Sequence, residues 1–459
     1  MIELLTLWGY EPDEIESELP RVQKTLTKFG LTDKDIGRGK QRLKSYYDME
    51  LNGVRKLFGF FMKELVNLTL AKEEGKKKII NASMAPAFDI LGSAVASHSH
   101  EVHAAVPDQP VQIILGCVFD RFVPILEAAE RQWLKEGLVG HCANVKTRLG
   151  LHALNLIPKP DLLVTSGSLC DTSPKTNDLL EELYDIPTFC YDTCQDRDLR
   201  EYPDSARTIA LMGKGMRRLA QRLEEVTGIA ITDDMLWEVL RAKGRLIAAL
   251  DKVRNVIQHS DPLVLSPKHD ILLMYLNTFP YIIDAMSGPI NVINTLHKEL
   301  QERVKQGVGI VEKGAPRILA ILPHQHGDPR LEHLVDEMGM AMVATDAEFL
   351  APQGGEPPTD PYEAMSVYLQ SSLYNHLGGR VRIIIEACRQ LKIDGVLDHF
   401  HVGCRGVAAD ALIIRDVVRK ELGLPVLLFE WENFDPRVYD HGQYKAKLEV
   451  FKSMLRTNR

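Results

Sequence analysis

The stretch DGVLDHFHVGCRGVAADALIIRDVVRKELGLPVLLFE, residues 394–430, decides the fold. Its apolar run from Gly395 to Phe400 predicts a strand, the amphipathic spacing over Ala408–Leu422 predicts a helix, and PVLLFE predicts a second strand. A strand–helix–strand unit of this length is typical of a parallel sheet. Because the loops after parallel strands open at one edge of the sheet, where ligands bind, Cys404 lies at a candidate site.

The same alternation of short strands and helices occurs in two parts of the chain. RILAIL and MAMVAT predict further strands in the later part, and VQIIL (Val111–Leu115), DLLVT and PTFCY predict an earlier group. The remaining segments show apolar residues at helical spacing. We therefore predict an α/β protein made of a helical N-terminal region (1–105), a first α/β lobe (106–204), a helical segment (205–312) and a second α/β lobe (313–459), each lobe with its own parallel sheet.

Composition excludes several classes of protein. The chain has 459 residues and a net charge of −8, and no Lys/Arg stripe marks a nucleic-acid-binding surface. No apolar stretch approaches the ~18–20 residues of a membrane span. The acidic N-terminus resembles neither a signal peptide nor a transit peptide, so we expect a cytoplasmic protein. Cysteines in that compartment serve more often as ligands or redox groups than as disulfides.

Six of the seven cysteines are predicted to lie at or near strand ends, and only Cys388 is predicted to be a helical core residue. Thiolates gathered at a sheet edge would suit an iron–sulfur cluster or zinc, whereas isolated buried cysteines would be ordinary core residues. Only one close pair, Cys190 and Cys194, is present, which disfavours a zinc knuckle. The candidate ligands are Cys117, Cys142, Cys170, Cys190, Cys194 and Cys404.

Other polar residues accompany these cysteines. Cys170 is predicted at a helix start, where free N–H groups stabilise a thiolate, and Lys175 in that helix either binds an anionic ligand or is a solvated charge. His401 is a candidate proton donor or a structural imidazole, and Arg405 adjoins Cys404. The sequence contains no phosphate-binding P-loop, dinucleotide-binding G-x-G-x-x-G or G-x-S-x-G nucleophile motif.

Two further groups have open interpretations. Asp435 and Arg437 follow the last strand and either form a mutual ion pair or line the cleft. The HSHEVH tract, with His98, His100 and His103, resembles a metal-binding run, but a solvated loop or helix end explains it better.

Four segments resemble the 2-hydroxyacyl-CoA dehydratases and benzoyl-CoA reductases. HCANVKTRLG, PDLLVTSGSLCDTSPK and DGVLDHFHVGCRG resemble the three cysteine-bearing segments of that family. LPVLLFEWENFDPRVYDHGQYKAKLEVF resembles its closing strand and helix, with matching positions at Glu430, Asp435, Arg437 and Gln443. The resemblance covers about residues 105–459 and is weak before them.

The resemblance implies two flavodoxin-like lobes with a 4Fe–4S cluster between them, held by Cys142, Cys170 and Cys404. It also implies a separate ATP-hydrolysing iron–sulfur activator that supplies one low-potential electron, which fits the missing nucleotide motif. Dehydratases of this kind form a ketyl radical on a CoA thioester and eliminate water, whereas benzoyl-CoA reductases reduce an aromatic ring. The subunits pair as homodimers or heterodimers.

The extra cysteines separate three hypotheses. One branch of the family holds a double-cubane cluster with six cysteines, and Cys117, Cys190 and Cys194 would complete that number. We therefore expect a low-potential reductase with a double-cubane 8Fe–9S cluster that acts on a small molecule. The first alternative is a single-cluster subunit of an acyl-CoA dehydratase or benzoyl-CoA reductase. The second alternative is a non-catalytic electron carrier.

Overall fold

Two four-stranded sheets form the framework of the protein, and their strands pair in parallel. The structure is a computed structural model that describes residues 1–135, 142–167, 170–191, 205–321, 327–350, 356–372, 376–401, 404–432 and 434–457. Two parallel-sheet lobes with helical regions are predicted from the sequence, and this fold class is confirmed.

Both sheets have the same strand order, second–first–third–fourth along the chain. The first sheet contains β1 (Lys78–Ala82), β2 (Val102–Ala105), β3 (Leu162–Ser166) and β4 (Thr188–Tyr191) in the order β2-β1-β3-β4. The second sheet contains β5 (Arg317–Ile321), β6 (Ala341–Thr345), β7 (Gly395–His401) and β8 (Val426–Trp431) in the order β6-β5-β7-β8. This order starts as the flavodoxin-like order does, and it places a topological switch point between the first and third strands of each sheet.

Helices cover the sheets and form most of the N-terminal and central regions. In the first part of the chain they are α1 (Ile2–Leu7), α2 (Pro12–Lys28), α3 (Asp33–Tyr46), α4 (Asn52–Leu70), α5 (Phe88–Ser97), α6 (Asp108–Val111), α7 (Val123–Lys135), α8 (Ala143–Ala153) and α9 (Thr172–Tyr184). The rest are α10 (Ser205–Thr227), α11 (Asp233–His259), α12 (Asp270–Leu276), α13 (Ser287–Gln306), α14 (Arg330–Glu337), α15 (Pro361–Ser371), α16 (Leu377–Gln390), α17 (Arg405–Leu422) and α18 (His441–Thr457).

Local sequence signals explain where several helices begin. Thr32 caps α3, because its hydroxyl accepts from the Asp35 N–H while the Asp35 carboxylate accepts from the Thr32 N–H. Thr232 caps α11 in a similar way, with its hydroxyl accepting from the Met235 N–H. The apolar faces of the N-terminal helices then pack with α13 into one large core. None of the described helices is both long and apolar enough to span a bilayer.

Three local predictions are wrong. VQIIL is helical, because α6 leads into a π-helix over Gln112–Val118 instead of a strand. The residues of this π-helix are buried all round, and periodicity cannot separate a buried helix from a buried strand in so short a run. In addition, β1 and β2 lie within residues 1–105, for which the sequence predicts helices. Each of these strands is only four or five residues long and depends on its pairing within the sheet.

Helices α7 and α8 pack so closely that only glycine fits at one position of their contact. A Cβ added to Gly150 of α8 would lie 2.1 Å from the Ile125 carbonyl oxygen and 2.7 Å from Ile125 Cγ2. Backbone cannot move aside as a flexible side chain can, so the two helices would have to separate. The close approach fixes the start of α8, where Cys142 lies, against the rest of the first lobe.

We expect Gly150→Ala to lower the free energy of unfolding by about 2–3 kcal/mol, because overpacking forces a backbone shift. Gly244→Ala on α11 is the matched control, since nothing lies within 4 Å of its added Cβ. That control should be neutral or stabilise the protein by about 0.5–1 kcal/mol through helix propensity. Urea unfolding followed by circular dichroism measures both values. Equal effects of the two substitutions would contradict the close α7–α8 contact.

Candidate functional site

Three cysteines precede helices at the edges of the two sheets. Cys142 is the N-cap residue of α8, Cys404 is the N-cap residue of α17, and Cys170 lies directly before Asp171, the N-cap residue of α9. The first N–H groups of a helix have no partner within the helix and carry partial positive charge. These N–H groups favour thiolates and other negative charges placed beside them, in opposition to the effect of burial. The predicted placement of Cys170 at a helix start is confirmed.

Two of these cysteines occupy equivalent places in the two lobes. Cys170 follows β3 and Cys404 follows β7, and each of these strands is the third strand of its sheet. The loops after the first and third strands flank the switch point, which is the usual ligand-binding edge of such a sheet. The internal similarity of the lobes thus provides one thiol from each sheet, and α8 provides the third.

The three thiols influence one another electrostatically. Burial raises the pKa of the Cys142 thiol well above its usual range, and the negative charges of Glu432, Cys170 and Cys404 raise it further. Because charges act strongly only over short distances inside a protein, this influence brings all three sulfurs into one neighbourhood. Cys142 is buried, while Cys170 and Cys404 are partly exposed. The Cys170 sulfur lies 3.3 Å from the hydroxyl of Thr172.

Glu432 connects the two lobes beside these thiols. Its Oε1 accepts from the Ala143 N–H at 3.3 Å and from the Phe434 N–H at 3.4 Å, so the end of the second sheet contacts the first turn of α8. Burial raises the pKa of Glu432 to about 7, although both hydrogen bonds oppose that rise. The carboxyl group is therefore close to the point where it gains or loses a proton near neutral pH.

An ion-pair network near the protein surface also connects the residues after β8 to α7 and α8. Asp435 and Arg437 bind each other, with distances of 2.6–3.1 Å between guanidinium nitrogens and carboxylate oxygens. Arg437 also binds Glu130 of α7 at 2.6 and 2.9 Å, and Lys146 of α8 binds Glu130 at 3.1 Å. The Arg437 guanidinium is the main reason that the pKa of Glu130 falls to about 2. Of the two predicted possibilities for Asp435 and Arg437, the mutual ion pair is the one observed.

The predicted catalytic and anion-binding residues differ in how close they lie to this neighbourhood. His401 is the last residue of β7 and is buried, with its Nε2 3.6 Å from Glu432 Oε1. Arg405 is the first residue of α17, and its side chain lies outside the described part of the protein. Lys175 lies in the first turn of α9 and is exposed. His401 is thus the predicted residue that the structure brings next to Glu432.

The further cysteines of the predicted double-cubane set have different surroundings. Cys117 lies in the π-helix and is buried in the N-terminal core. Burial raises the pKa of its thiol to about 12 despite a hydrogen bond with Tyr47 and the nearby Arg42 guanidinium. Cys190 lies in β4, opposite Thr165 of β3, and its side chain is exposed. Cys194 lies outside the described residues.

The helical cysteine agrees with its prediction, whereas the histidine tract agrees with a solvated loop or helix end at His98 and His100 but not at His103, which is a partly buried strand residue. His98 ends α5, with its Nδ1 2.9 Å from the Ala94 carbonyl oxygen, and His103 lies in β2. Cys388 lies in α16 and is buried in the core of the second lobe, where burial raises its pKa to about 12. Its prediction as a helical core residue is confirmed.

Arg148 is a buried cation that sequence reasoning missed. It lies on α8, is only 2% exposed, and has its Nε 3.9 Å from Asp108 Oδ2. Burial lowers the pKa of this guanidinium, while the negative charges of Asp108, Cys170 and Cys142 oppose that decrease. Arg148 therefore places positive charge near two of the three thiols. A basic residue six positions after Cys142, within a helix otherwise rich in apolar residues, was the available signal.

The same side chain holds two thiol-bearing elements together. Arg148 donates to the Asn177 side-chain oxygen and, at 3.0 Å, to the Ser173 hydroxyl, and both residues belong to α9. The Ser173 hydroxyl also lies 2.6 Å from the Thr165 hydroxyl of β3. The starts of α8 and α9 are thereby fixed relative to each other and to the sheet edge. This arrangement would set the distance between Cys142 and Cys170.

The arrangement suits a cluster better than a single metal ion. Within the described ranges, no group of three or more His, Cys, Asp or Glu side chains is close enough together to hold one ion. A four-iron cluster distributes its thiolate ligands over separate irons, so its cysteines are further apart than those around one zinc. Three thiols in one neighbourhood, three helix starts and a buried guanidinium fit such a negatively charged group.

Comparison with known proteins shows the family of the chain. The family model described as 2-hydroxyglutaryl-CoA dehydratase, D-component, matches residues 110–455. The chain belongs to this family. It is 22% identical over 337 residues to a subunit of benzoyl-CoA reductase from Thauera aromatica, covering 68% of this chain and 76% of that protein. It is 21% identical over 412 residues to lactoyl-CoA dehydratase subunit alpha of Anaerotignum propionicum, covering 84% and 93%.

A third relative is named as a dehydratase subunit as well. The chain is 20% identical over 313 residues to (R)-2-hydroxyglutaryl-CoA dehydratase subunit alpha of Acidaminococcus fermentans, covering 66% of this chain and 62% of that protein. The family resemblance predicted from the sequence is thus confirmed. The stretch that matches the dehydratase D-component model includes Cys142, Arg148, Cys170 and Cys404. It begins after β2, as expected from the weak resemblance of the N-terminal region.

Proposed function

We propose that this protein is an iron–sulfur subunit of an enzyme that dehydrates a 2-hydroxyacyl-CoA or reduces an aromatic acyl-CoA. One 4Fe–4S cluster would be held by Cys142, Cys170 and Cys404. The observation that carries the proposal is that each of these thiols lies at a helix start, while Glu432 links the start of α8 to the second sheet and Arg148 links α8 to α9. Family membership supports the substrate class, because the relatives are named as subunits that act on CoA thioesters.

The cluster, when bound, would supply low-potential electron transfer to the acyl group. The residues around it have separate tasks. The first turns of α8, α9 and α17 would provide N–H groups that favour negative charge near the thiols, and Arg148 would offset the negative charge of Cys142 and Cys170. His401 and Glu432 lie 3.6 Å apart, so this pair could hold or move one proton beside the three-thiol site.

The described geometry favours three ligands over six. The Cys117 thiol is buried among core side chains and hydrogen-bonds with Tyr47, which supports a structural role. Cys190 lies one strand away from the Cys170 loop at the same sheet edge, and this placement keeps a larger cluster as the second candidate. The assignment of Cys117, Cys190 and Cys194 as ligands of a double cubane stays a prediction.

Two partners of this chain are inferred, one from the missing nucleotide motif and one from the names of the relatives. Without a phosphate-binding loop, the chain would need an ATP-hydrolysing iron–sulfur protein as its electron donor. The relatives are named as single subunits, so a second subunit of a related kind is the expected partner. A cytoplasmic location is part of this proposal because cysteine thiols are kept reduced in that compartment.

Iron and sulfide analysis of the anaerobically purified protein tests the proposal. We expect about four irons and four sulfides per chain, with broad visible absorption that changes on reduction. Cys117→Ser and Cys190→Ser should keep this content, because neither residue belongs to the three-thiol site.

If the protein bound about eight irons per chain and Cys190→Ser lowered that content, the double-cubane cluster would be favoured over the single one. Protein that stays free of iron after anaerobic reconstitution with iron and sulfide would contradict both forms of the proposal.

A further inference from the structure

A second cleft lies on the other side of the first lobe from the β3–β4 edge. Its volume is about 540 Å³, and it is bounded by the turn between α1 and α2, by α4, by β2 and by residues 280–295. This volume is in the range of small-molecule sites. The described lining includes none of the three cysteines, His401 or Glu432, so the cleft is separate from the candidate cluster site.

The walls of the cleft are largely apolar and aromatic. Tyr10, Phe60 and Tyr281 contribute rings, and the Phe60 and Tyr281 ring centroids are 5.9 Å apart. The edge strand β2 contributes Val102 and Ala104. Such a surface would accommodate the hydrocarbon part of a small molecule.

Most charges of the cleft are already neutralised within the protein. Lys56 pairs with Glu11 at 2.9 Å, and Lys63 pairs with Glu14 at 2.8 Å. Lys63 also places its Nζ 4.8 Å from the centroid of the Tyr10 ring. Of the charged residues that line the cleft, Glu64 and Lys76 then remain, and neither has an ion pair among the residues that the structure describes.

Glu64 is the feature that a purely structural cleft would not need. It lies on α4, and within the described ranges its carboxyl group has neither a hydrogen bond nor an ion pair. Burial alone raises its pKa to about 7. The side chain is only partly buried, so its unpartnered carboxyl group is accessible from the cleft. Its presence therefore points to a partner that is not part of the chain.

His103 provides a second unused polar group in the same cleft. Its Nε2 is buried and has no hydrogen-bond partner in the described part of the chain. Burial lowers the pKa of this imidazole to about 4, so the ring is neutral and one of its nitrogens accepts a hydrogen bond. Glu64 and His103 together are complementary to a ligand that is rich in N–H donors.

We propose that this cleft binds a small ammonium compound with an apolar body, and that the ammonium group lies against the Glu64 carboxylate. The aromatic rings cover the apolar body, and cation–π attraction adds to the ion pair. If the ligand also carries a carboxylate, as an apolar α-amino acid does, Lys76, whose Nζ already donates to the His100 carbonyl oxygen at 2.7 Å, is the lining cation without an ion pair that could bind it. The proposal does not depend on the cluster or on the proposed reaction.

Isothermal titration calorimetry on the anaerobically purified full-length protein tests this site with three probes of equal body. These are phenethylamine with an ammonium group, L-phenylalanine with both charges, and 3-phenylpropionate with a carboxylate alone. We expect the first two to bind and the third not to bind. Glu64→Gln keeps the shape of the side chain and should lower the affinity for phenethylamine and for L-phenylalanine at least about tenfold.

Two control variants distinguish the sources of affinity. Glu238→Gln changes an exposed glutamate of α11 outside the cleft and should leave binding unchanged. If the natural ligand is an amino acid, Lys76→Met should lower the affinity for L-phenylalanine to the affinity measured for phenethylamine. If the ligand is a simple amine, this substitution should leave the affinities of both probes unchanged. The proposal would be overturned if 3-phenylpropionate bound or if neither ammonium probe bound. It would also be overturned if the Glu64→Gln variant bound the ammonium probes with the same affinity as the unchanged protein. Iron content would be unaffected in every case.

Discussion

Cys142→Ala, Cys170→Ala and Cys404→Ala are each expected to lower bound iron and sulfide more than about tenfold in the anaerobically purified protein. The loss should be similar for all three, because each thiol comes from a different helix start and none can replace another. Visible absorption of the cluster should fall in parallel. Iron, sulfide and the absorption spectrum are the measurements, made on protein whose helical content has been checked by circular dichroism.

Cys388→Ala is the matched control for these variants. This cysteine is buried in the core of the second lobe, so its replacement leaves a small cavity and costs about 1 kcal/mol of stability. Its iron content should equal that of the unchanged protein. Three folded single variants that keep full iron and sulfide would remove the basis of the proposed site.

Local pattern correctly predicts the strand-end placement of two of the three thiols. Cys170 and Cys404 both follow short apolar strands, and a parallel sheet places such residues at its ligand-binding edge. The predicted placement of Cys142 at or near a strand end is wrong, because Cys142 caps a helix, and its proposed role as a ligand depends on the resemblance of HCANVKTRLG to the family. The fold class of two parallel-sheet lobes is predicted correctly because the alternation of strands and amphipathic helices is strong in the second lobe and is present around β3 and β4 in the first.

The missed features depend on contacts between distant parts of the chain. Glu432 becomes part of the site through its hydrogen bond with Ala143, which lies 289 residues earlier. Local pattern carries no information on that contact.

VQIIL is wrongly predicted as a strand because burial on all sides removes the periodicity that distinguishes a helix. The β1 and β2 strands are missed because pairing within the sheet, not their own composition, stabilises them.

Arg148→Met is expected to have the second large effect, on both stability and iron binding. The change leaves the Asp108 carboxyl group buried without its cation and removes the hydrogen bonds to Ser173 and Asn177. Breaking a buried pair in this way costs about 3–5 kcal/mol. It also removes positive charge near Cys142 and Cys170, so iron content should fall about tenfold or more.

A double-mutant cycle with Asp108→Asn separates the two consequences. The amide introduced by this substitution keeps the shape of the carboxyl group without its charge, so the Arg148→Met/Asp108→Asn protein should recover much of the lost stability. Its iron content should stay low, because the guanidinium near the thiols is still missing. Arg148→Lys provides the conservative comparison: it keeps the charge but not the two-pronged contact with α9.

These variants distinguish a positioning role from a merely structural one. Urea unfolding gives the stability of each protein, and iron content together with the reduction potential of any remaining cluster gives the effect on the site. If Arg148 acts through its charge, Arg148→Lys retains iron and its potential stays closer to the unchanged protein than that of Arg148→Met. If Asp108→Asn restored both stability and iron in the double variant, Arg148 would serve only to neutralise Asp108, and its proposed influence on Cys142 and Cys170 would be wrong.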